Sequence, residues 1–319
     1  MHLSPLVDLY TGLELCKVHP ASSIRALSIK IPSDKLAVTS FYFPESLGGG
    51  EVHLIESIDG RQDEADEIFD AMQQGPCWSR NANHFQLPVY PREGITFHRH
   101  PLSCNTVKGV LLSQQFTCNY GAEYKHSVKM GTVHLDQAPR SVTRALKLIS
   151  ERTKKVIAST GNDDDFNEVY PVKYRETQKM NFHDDGEPGL GPTVSSLSLG
   201  VEAKMQFRLK EKYVKQQVEG GEIDAKGSIT MANRILLTLT LRHGCIVIQH
   251  GRRLQEMIEH AVQPQMGGKQ RGDNGVRIAV TARRIDKVSA EMQVQSKRRK
   301  TMIAQSVKKL PGGAGWASN

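Results

Sequence analysis

The sequence has no CxxC pair and an odd number of cysteines. Its five, at positions 16, 77, 104, 118 and 245, exclude a zinc ribbon and a closed disulfide framework and read as thiols of a reducing compartment. No apolar run approaches the ~18–20 residues that a membrane-spanning helix needs; the richest stretches, 235–241 and 245–248, are strand-sized. A clean apolar segment followed by small residues is also missing from the N-terminus, which carries Asp8, Glu14 and Lys17, so no secretory signal is expected. The expected setting is intracellular, in nucleus or cytoplasm, with no membrane association. Net charge is small through most of the chain. The net charge is +8, but residues 288–319 supply +5 through Lys297, Arg298, Arg299, Lys300, Lys308 and Lys309 against Glu291, leaving +3 on the other 287 residues. A basic tail of this kind contacts phosphates or serves as a nuclear address, or is simply a solvated charge run. The small charge of the remainder argues mildly against strong duplex binding.

What is present is enough for one large domain, with 319 residues of which 38% are hydrophobic. Residues 1–60 read as an appendage, punctuated by Pro5, Pro20, Pro32 and Pro44 and ended by Gly48-Gly49-Gly50, with strand-like alternation at 37–42. Residues 63–72 predict a helix capped by Asp63, with Ile68, Phe69 and Met72 on one face. The stretch 73–115 is loop-rich; its His98-Arg99-His100 lacks a carboxylate or cysteine at ligand spacing and reads as surface histidines. A second amphipathic helix is expected over 141–158, carrying Val142, Ala145, Leu146 and Ile149. From Phe166 the texture changes to short strands: 166–172, 193–199, 203–209, 235–241, 245–249 and 276–282. Residues 211–233 read as a flexible insertion and 288–319 as a disordered tail. The pattern predicts an α+β fold, a double-sheet jelly-roll barrel buttressed by N-terminal helices, over residues 61–287.

The chemistry concentrates in Asn181-Phe182-His183-Asp184-Asp185-Gly186-Glu187. On a strand, residues i and i+2 share a face, so His183 and Asp185 can both address a metal while Asp184 points away. An imidazole and a carboxylate joined by a remote histidine make the facial triad of non-haem iron(II) oxygenases. His243, His250 and His260 compete for the third place; His260 follows a polar stretch, 252–259, able to carry it back toward the metal. Further on, Arg277 and Arg283 stand six residues apart on one predicted strand and so share a face. Buried guanidinium groups call for an anion, and a dicarboxylate supplies one by bidentate pairing.

These blocks together resemble the AlkB-like family of iron(II)- and 2-oxoglutarate-dependent dioxygenases. The likeness runs over residues 63–286 and is densest at 174–200, which contains His183, Asp185, Leu190-Gly-Pro and the Ser-Leu-Ser-Leu-Gly run, at 239–262, which contains Arg242-His-Gly and His260-Ala-Val, and at 277–285. A looser block, 117–127, contributes Tyr120-Gly121 and Tyr124. The resemblance implies a double-stranded β-helix and iron ligands His183, Asp185 and His260. It implies that Arg277 pairs with the distal carboxylate of 2-oxoglutarate, that Arg283 lies near its oxo-acid end, and that Tyr174 contacts it. Glu187 falls where the family's nucleic-acid demethylases recognise the substrate base, and Tyr120 and Tyr124 are candidates to stack an extruded base. The implied activity is oxidative demethylation of an alkylated base in DNA or RNA, with Fe(II), 2-oxoglutarate and O2. The alternative is oxidation of a small molecule or protein side chain by the same iron centre. Val172 and Ala279 depart from the pattern, standing where many members have asparagines that touch 2-oxoglutarate, and 73–115 does not match the family's nucleotide-recognition loops.

Overall fold

The structure, a computed structural model, describes residues 24–60, 62–73, 116–122, 132–157, 165–175, 178–186, 189–214, 235–264 and 275–286, with short strand segments at 14–15, 77–78, 97–99, 106–107 and 110–111. The principal strands are β1 (Arg25–Ile31), β2 (Leu36–Phe43), β3 (Gly50–Ser57), β4 (Glu168–Arg175), β5 (Met180–His183), β6 (Leu190–Gly200), β7 (Ala203–Leu209), β8 (Ile235–Leu241), β9 (Ile246–His250), β10 (Ile258–Pro264) and β11 (Val276–Ile285). Among the described residues, α1 (Asp63–Gln73), α2 (Arg140–Lys154) and α3 (Arg252–Met257) accompany them. None of these helices is long and apolar enough to cross a membrane.

Two sheets share the strands. The large one runs β1-β2-β3-β9-β6-β11-β4 and continues into the Phe116–Thr117 strand; the small one runs from the Glu14–Leu15 strand through β8-β7-β10-β5. From β4 onward, eight consecutive strands are dealt between the sheets in a jelly-roll-like order, and every pairing among them is antiparallel. The alternation of β11 shows why. Ile278, Val280 and Ala282 point to a core shared with Ile68, Phe69 and Met72 of α1 and Val142, Ala145 and Ile149 of α2. The intervening residues face the other way, between the sheets. There Met205, Phe207, Leu237, Leu239 and Leu241 of the small sheet pack against Phe41, Val52, Leu54 and Val247 of the large one. Each of these fully buried side chains is worth about 1.5–3 kcal/mol. Gly200, with φ +83°, turns the chain from β6 toward β7; a Cβ there would collide with the Val276 carbonyl and the Phe69 ring.

The expected appendage at 1–60 is corrected in one respect. Residues 25–57 extend the large sheet, because β3 pairs with β9 over five register positions and β2 pairs with β3. Proline and glycine punctuate the turns between these strands. In the polar stretch 252–259, Arg252–Met257 is helical, and His260 sits within strand β10. The expected insertion, from residue 215 on, and the basic tail lie outside the described residues.

Candidate metal centre and cosubstrate pocket

Strand β5 ends on His183, which lies directly opposite His260 of β10 in the ladder. The paired imidazoles stand 4.3 Å apart between ring centroids. Asp185 follows two residues later and brings Oδ2 to 3.6 Å from His260 Nε2. One ligand atom from each of His183, Asp185 and His260 lies within 4.8 Å of the other two; among the described residues this is the one cluster of its kind. The His183 Nδ1–H donates to the Asn181 carbonyl at 2.8 Å, a second-sphere bond that leaves Nε2 for a metal. Burial, seconded by the His183 ring, pushes the His260 pKa down to about 4, against the opposing pull of Asp185. His260 is therefore neutral near pH 7, which is the ligating form. Asp184 turns away as the parity of the strand requires, accepting the Gly186 N–H at 3.0 Å and pairing with Lys210 at 2.7 Å. The competing histidines are otherwise engaged. His243 accepts the Gly200 N–H at 2.8 Å and lies against Phe69, while His250 hydrogen-bonds the Thr193 hydroxyl at 2.9 Å.

The facing wall comes from the register of β4 on β11: Glu168 opposite Arg283, Tyr170 opposite Thr281, Val172 opposite Ala279, Tyr174 opposite Arg277. All eight share one side of the sheet. Arg277 is only 5% exposed. Its Nη2 donates to Ser198 Oγ at 2.8 Å, its Cζ lies 5.1 Å from the centre of the Tyr174 ring, and its Nε and Nη1 have no hydrogen-bond partner. Burial lowers its pKa, yet an arginine keeps its charge in such a place. Two orphaned donor nitrogens on a buried cation cost about 1–3 kcal/mol each and call for an anionic acceptor. Val172, Tyr174 and Ala279 form the apolar patch beside it, so the two positions that lack the family's amides offer methyl groups instead.

Arg283 does not keep its expected role. Glu168, 1% exposed, takes its Nε and Nη2 in two bonds of 2.6 Å, and the Tyr170 ring lies 5.4 Å from the guanidinium. That ion pair supplies the anion which the sequence alone assigned to a cosubstrate. Tyr120 is corrected as well. It pairs with Val169 on the far side of the sheet and is buried in the core beneath α1 and α2, where no base can reach it. Glu187 and Tyr124 lie outside the described residues. Three residues went unassigned at the level of sequence: Glu168, Ser198 and Cys245. Burial pushes the Cys245 thiol up to about 12, so it stays protonated near Arg277. The alternation of Ser196 and Ser198 with Leu197 and Leu199 signals that the serines face inward; nothing in the sequence pairs Glu168 with Arg283.

The sequence model of the 2OG-Fe(II) oxygenase superfamily matches residues 60–283. No curated protein matches the chain. Among solved structures, that of OsALKBH1 is 15% identical, with 70% of this chain and 92% of that chain covered and a TM-score of 0.36. The non-heme alpha ketoglutarate dependent epimerase SnoN from nogalamycin biosynthesis is 12% identical, with 38% and 48% covered and a TM-score of 0.22. The superfamily's cofactor set, Fe(II), 2-oxoglutarate and O2, suits a donor set of two imidazoles and one carboxylate that leaves coordination positions open. By a match that spans most of its length, the chain belongs to the 2OG-Fe(II) oxygenase superfamily and is an oxidoreductase.

Proposed function

We propose that the chain is an AlkB-like dioxygenase which oxidatively demethylates an alkylated base in DNA or RNA, with iron held by His183, Asp185 and His260 and 2-oxoglutarate by Arg277 and Tyr174. The observation that carries the dioxygenase part is the His-Asp-His cluster together with the two unpartnered Arg277 nitrogens beside the apolar patch that packs on Met180 of β5. Iron(II), 2-oxoglutarate and O2 bound there supply the oxidation of a substrate C–H bond, with succinate and CO2 as coproducts. The protein binds the dicarboxylate through Arg277, Tyr174 and Ser198, and keeps water out with the apolar wall of Val172 and Ala279. An N-methyl group hydroxylated in this way is a hemiaminal, which collapses to the free amine and formaldehyde. Support for a nucleobase comes from sequence, from Glu187 two residues beyond Asp185. Tyr120, being in the core, takes no part.

A second reading keeps the same centre and changes the substrate to a small molecule or a protein side chain. It is favoured by the charge pairing of α2, where Arg144, Lys154 and Lys155 are spent on Glu67, Asp165 and Asp34, which weakens the field available to a phosphate backbone. The two are separated by succinate release from Fe(II)- and 2-oxoglutarate-loaded protein, offered methylated oligonucleotides or metabolite pools. Turnover with matched formaldehyde release on an oligonucleotide is expected. Turnover confined to metabolites would sink the nucleobase proposal.

The sealed Arg283 pair gives a separate prediction. Glu168→Met with Arg283→Met removes both charges and replaces them with side chains of similar volume, a change that is commonly neutral or stabilising. The double variant is expected to bind 2-oxoglutarate within about 2-fold of the parent, on the footing that a group without contact to a ligand leaves binding nearly unchanged. Glu168→Ala alone strands a buried guanidinium and should lower stability by about 3–5 kcal/mol. Calorimetric titration of the Mn(II)-loaded protein measures the first and chemical denaturation the second. A large loss of affinity in the double variant would return Arg283 to the cosubstrate site.

A further inference from the structure

Strand β5 carries His183 and leads into Asp185, yet it is a weak element. It has four residues, lies at the edge of the small sheet, pairs with β10 alone among the described residues, and changes register between Met180 and His183. An edge strand so short does not fix two ligands within the few tenths of an ångström that a metal demands. The residues on its other face supply what the ladder lacks. Phe182 and Asp184 alternate with the ligands and point away from the metal, and each meets a cation from β7 or the residue after it.

Arg208 reaches across β10. Its Nε pairs with Glu259 Oε1 at 2.6 Å, and Glu259 is the residue before His260. The same guanidinium lies over the Phe182 ring, 3.6 Å from Cζ to the ring centre, and Phe182 is the residue before His183. The arginine is 8% exposed, so both interactions are made with little water. Lys210 extends the arrangement by one more step: its Nζ pairs with Asp184 Oδ2 at 2.7 Å, and Asp184 stands between the two ligands His183 and Asp185.

We infer that Arg208 and Lys210 are positioning residues which staple β5 to β7 across β10 from behind and so set the spacing of His183, Asp185 and His260. The inference rests on the metal-centre reading above. The flat guanidinium is what permits one side chain to stack on Phe182 and bind Glu259 at once; an ammonium retains the ion pair and loses the stack. Outer-shell groups of this kind are worth about 10–100-fold in metal affinity.

The test is titration of the full-length protein with Co(II) alone, followed by its d–d absorption, at a temperature where every variant is folded. Arg208→Met is expected to weaken Co(II) binding about 10–100-fold and to shift the d–d bands. Arg208→Lys should fall between it and the parent, and Lys210→Met should show the smaller loss. Arg242→Ala, which breaks pairs with Glu56 and Glu202, is the control for lowered stability and should leave Co(II) binding at the parent's value. Unchanged affinity and bands in Arg208→Met, with binding lost in His183→Ala, overturn the staple and leave the metal centre intact. Unchanged binding in both overturns the metal centre itself. Should Arg208→Met fail to fold, Phe182→Leu and Glu259→Gln each remove one arm. A shift of the d–d bands in either supports the staple, and parent-like bands in both overturn it.

Discussion

Alanine at His183 or at Asp185 is expected to reduce succinate release to background and to weaken iron(II) binding by more than the about 10–100-fold that outer-shell changes cost. The two proposed ligands come from consecutive inward positions of one chain segment, and the proposed third, His260, sits opposite His183 in the ladder. Removing either leaves one imidazole and one other donor, and a two-ligand site no longer defines the open face on which cosubstrate and O2 assemble. The loss is not repaired by neighbours. Asp184 is adjacent in sequence but points to Lys210 on the other side of the strand. His243 and His250 are engaged elsewhere in the sheets. Asp185→Asn separates charge from shape: it keeps the contour of the side chain and removes the anion that the metal needs, so it should fail nearly as completely as alanine. Succinate is followed by a coupled assay, and iron by equilibrium dialysis under nitrogen. Turnover that survives either alanine variant would remove these residues from the centre.

How much of this was open to a reader of the sequence depends on the distance over which each feature is decided. The inward pair His183 and Asp185 follows from a period of two, which is local, and the turn of Asp184 away from the metal follows with it. The helix over 63–73 announces itself by Ile68, Phe69 and Met72, all buried against the sheet. The choice among three histidines is not local. Spacing left His243, His250 and His260 open, and it is the register of β5 on β10 that brings His260 to His183. The strand bearing His260 was hidden because a helix-like polar run precedes it and ends three residues before that histidine. Arg283 shows the limit most plainly. Its shared face with Arg277 is legible, but its charge is neutralised by a glutamate 115 residues away in sequence, and no pattern in either strand announces that partner. Tyr120 failed for a related reason: an aromatic residue in a strand looks the same whichever face it takes, and here the face is the one beneath the helices.

The second large effect concerns Arg277, and it has two readouts of opposite sign. Replacing it by methionine, which keeps the length and loses the charge, is expected to weaken 2-oxoglutarate binding by about 2–5 kcal/mol, as for other desolvated charge pairs that lose one partner. At 1.4 kcal/mol per decade that is about 30-fold to several thousand-fold. Without ligand the same change should raise stability. In the free protein Nε and Nη1 are buried donors with nothing to donate to, a standing cost of about 1–3 kcal/mol per group that methionine abolishes. The parent is stabilised by its ligand through mass action, about 2.7 kcal/mol at a hundred times the dissociation constant; the variant starts higher and gains little. Melting temperatures of the Mn(II)-loaded proteins, with and without 2-oxoglutarate, display both effects in one experiment. A variant that melts well below the parent and still responds fully to 2-oxoglutarate would mean that Arg277 is structural and that the dicarboxylate is held elsewhere. Lysine in its place is no substitute, because the fork that reaches Ser198 and a carboxylate together is a property of the guanidinium. A site that keeps two guanidinium nitrogens unpartnered in its interior at a cost to its own stability suits an anion that arrives from outside; Arg277, the proposed cosubstrate anchor, has that character, while Arg283, held by Glu168, does not.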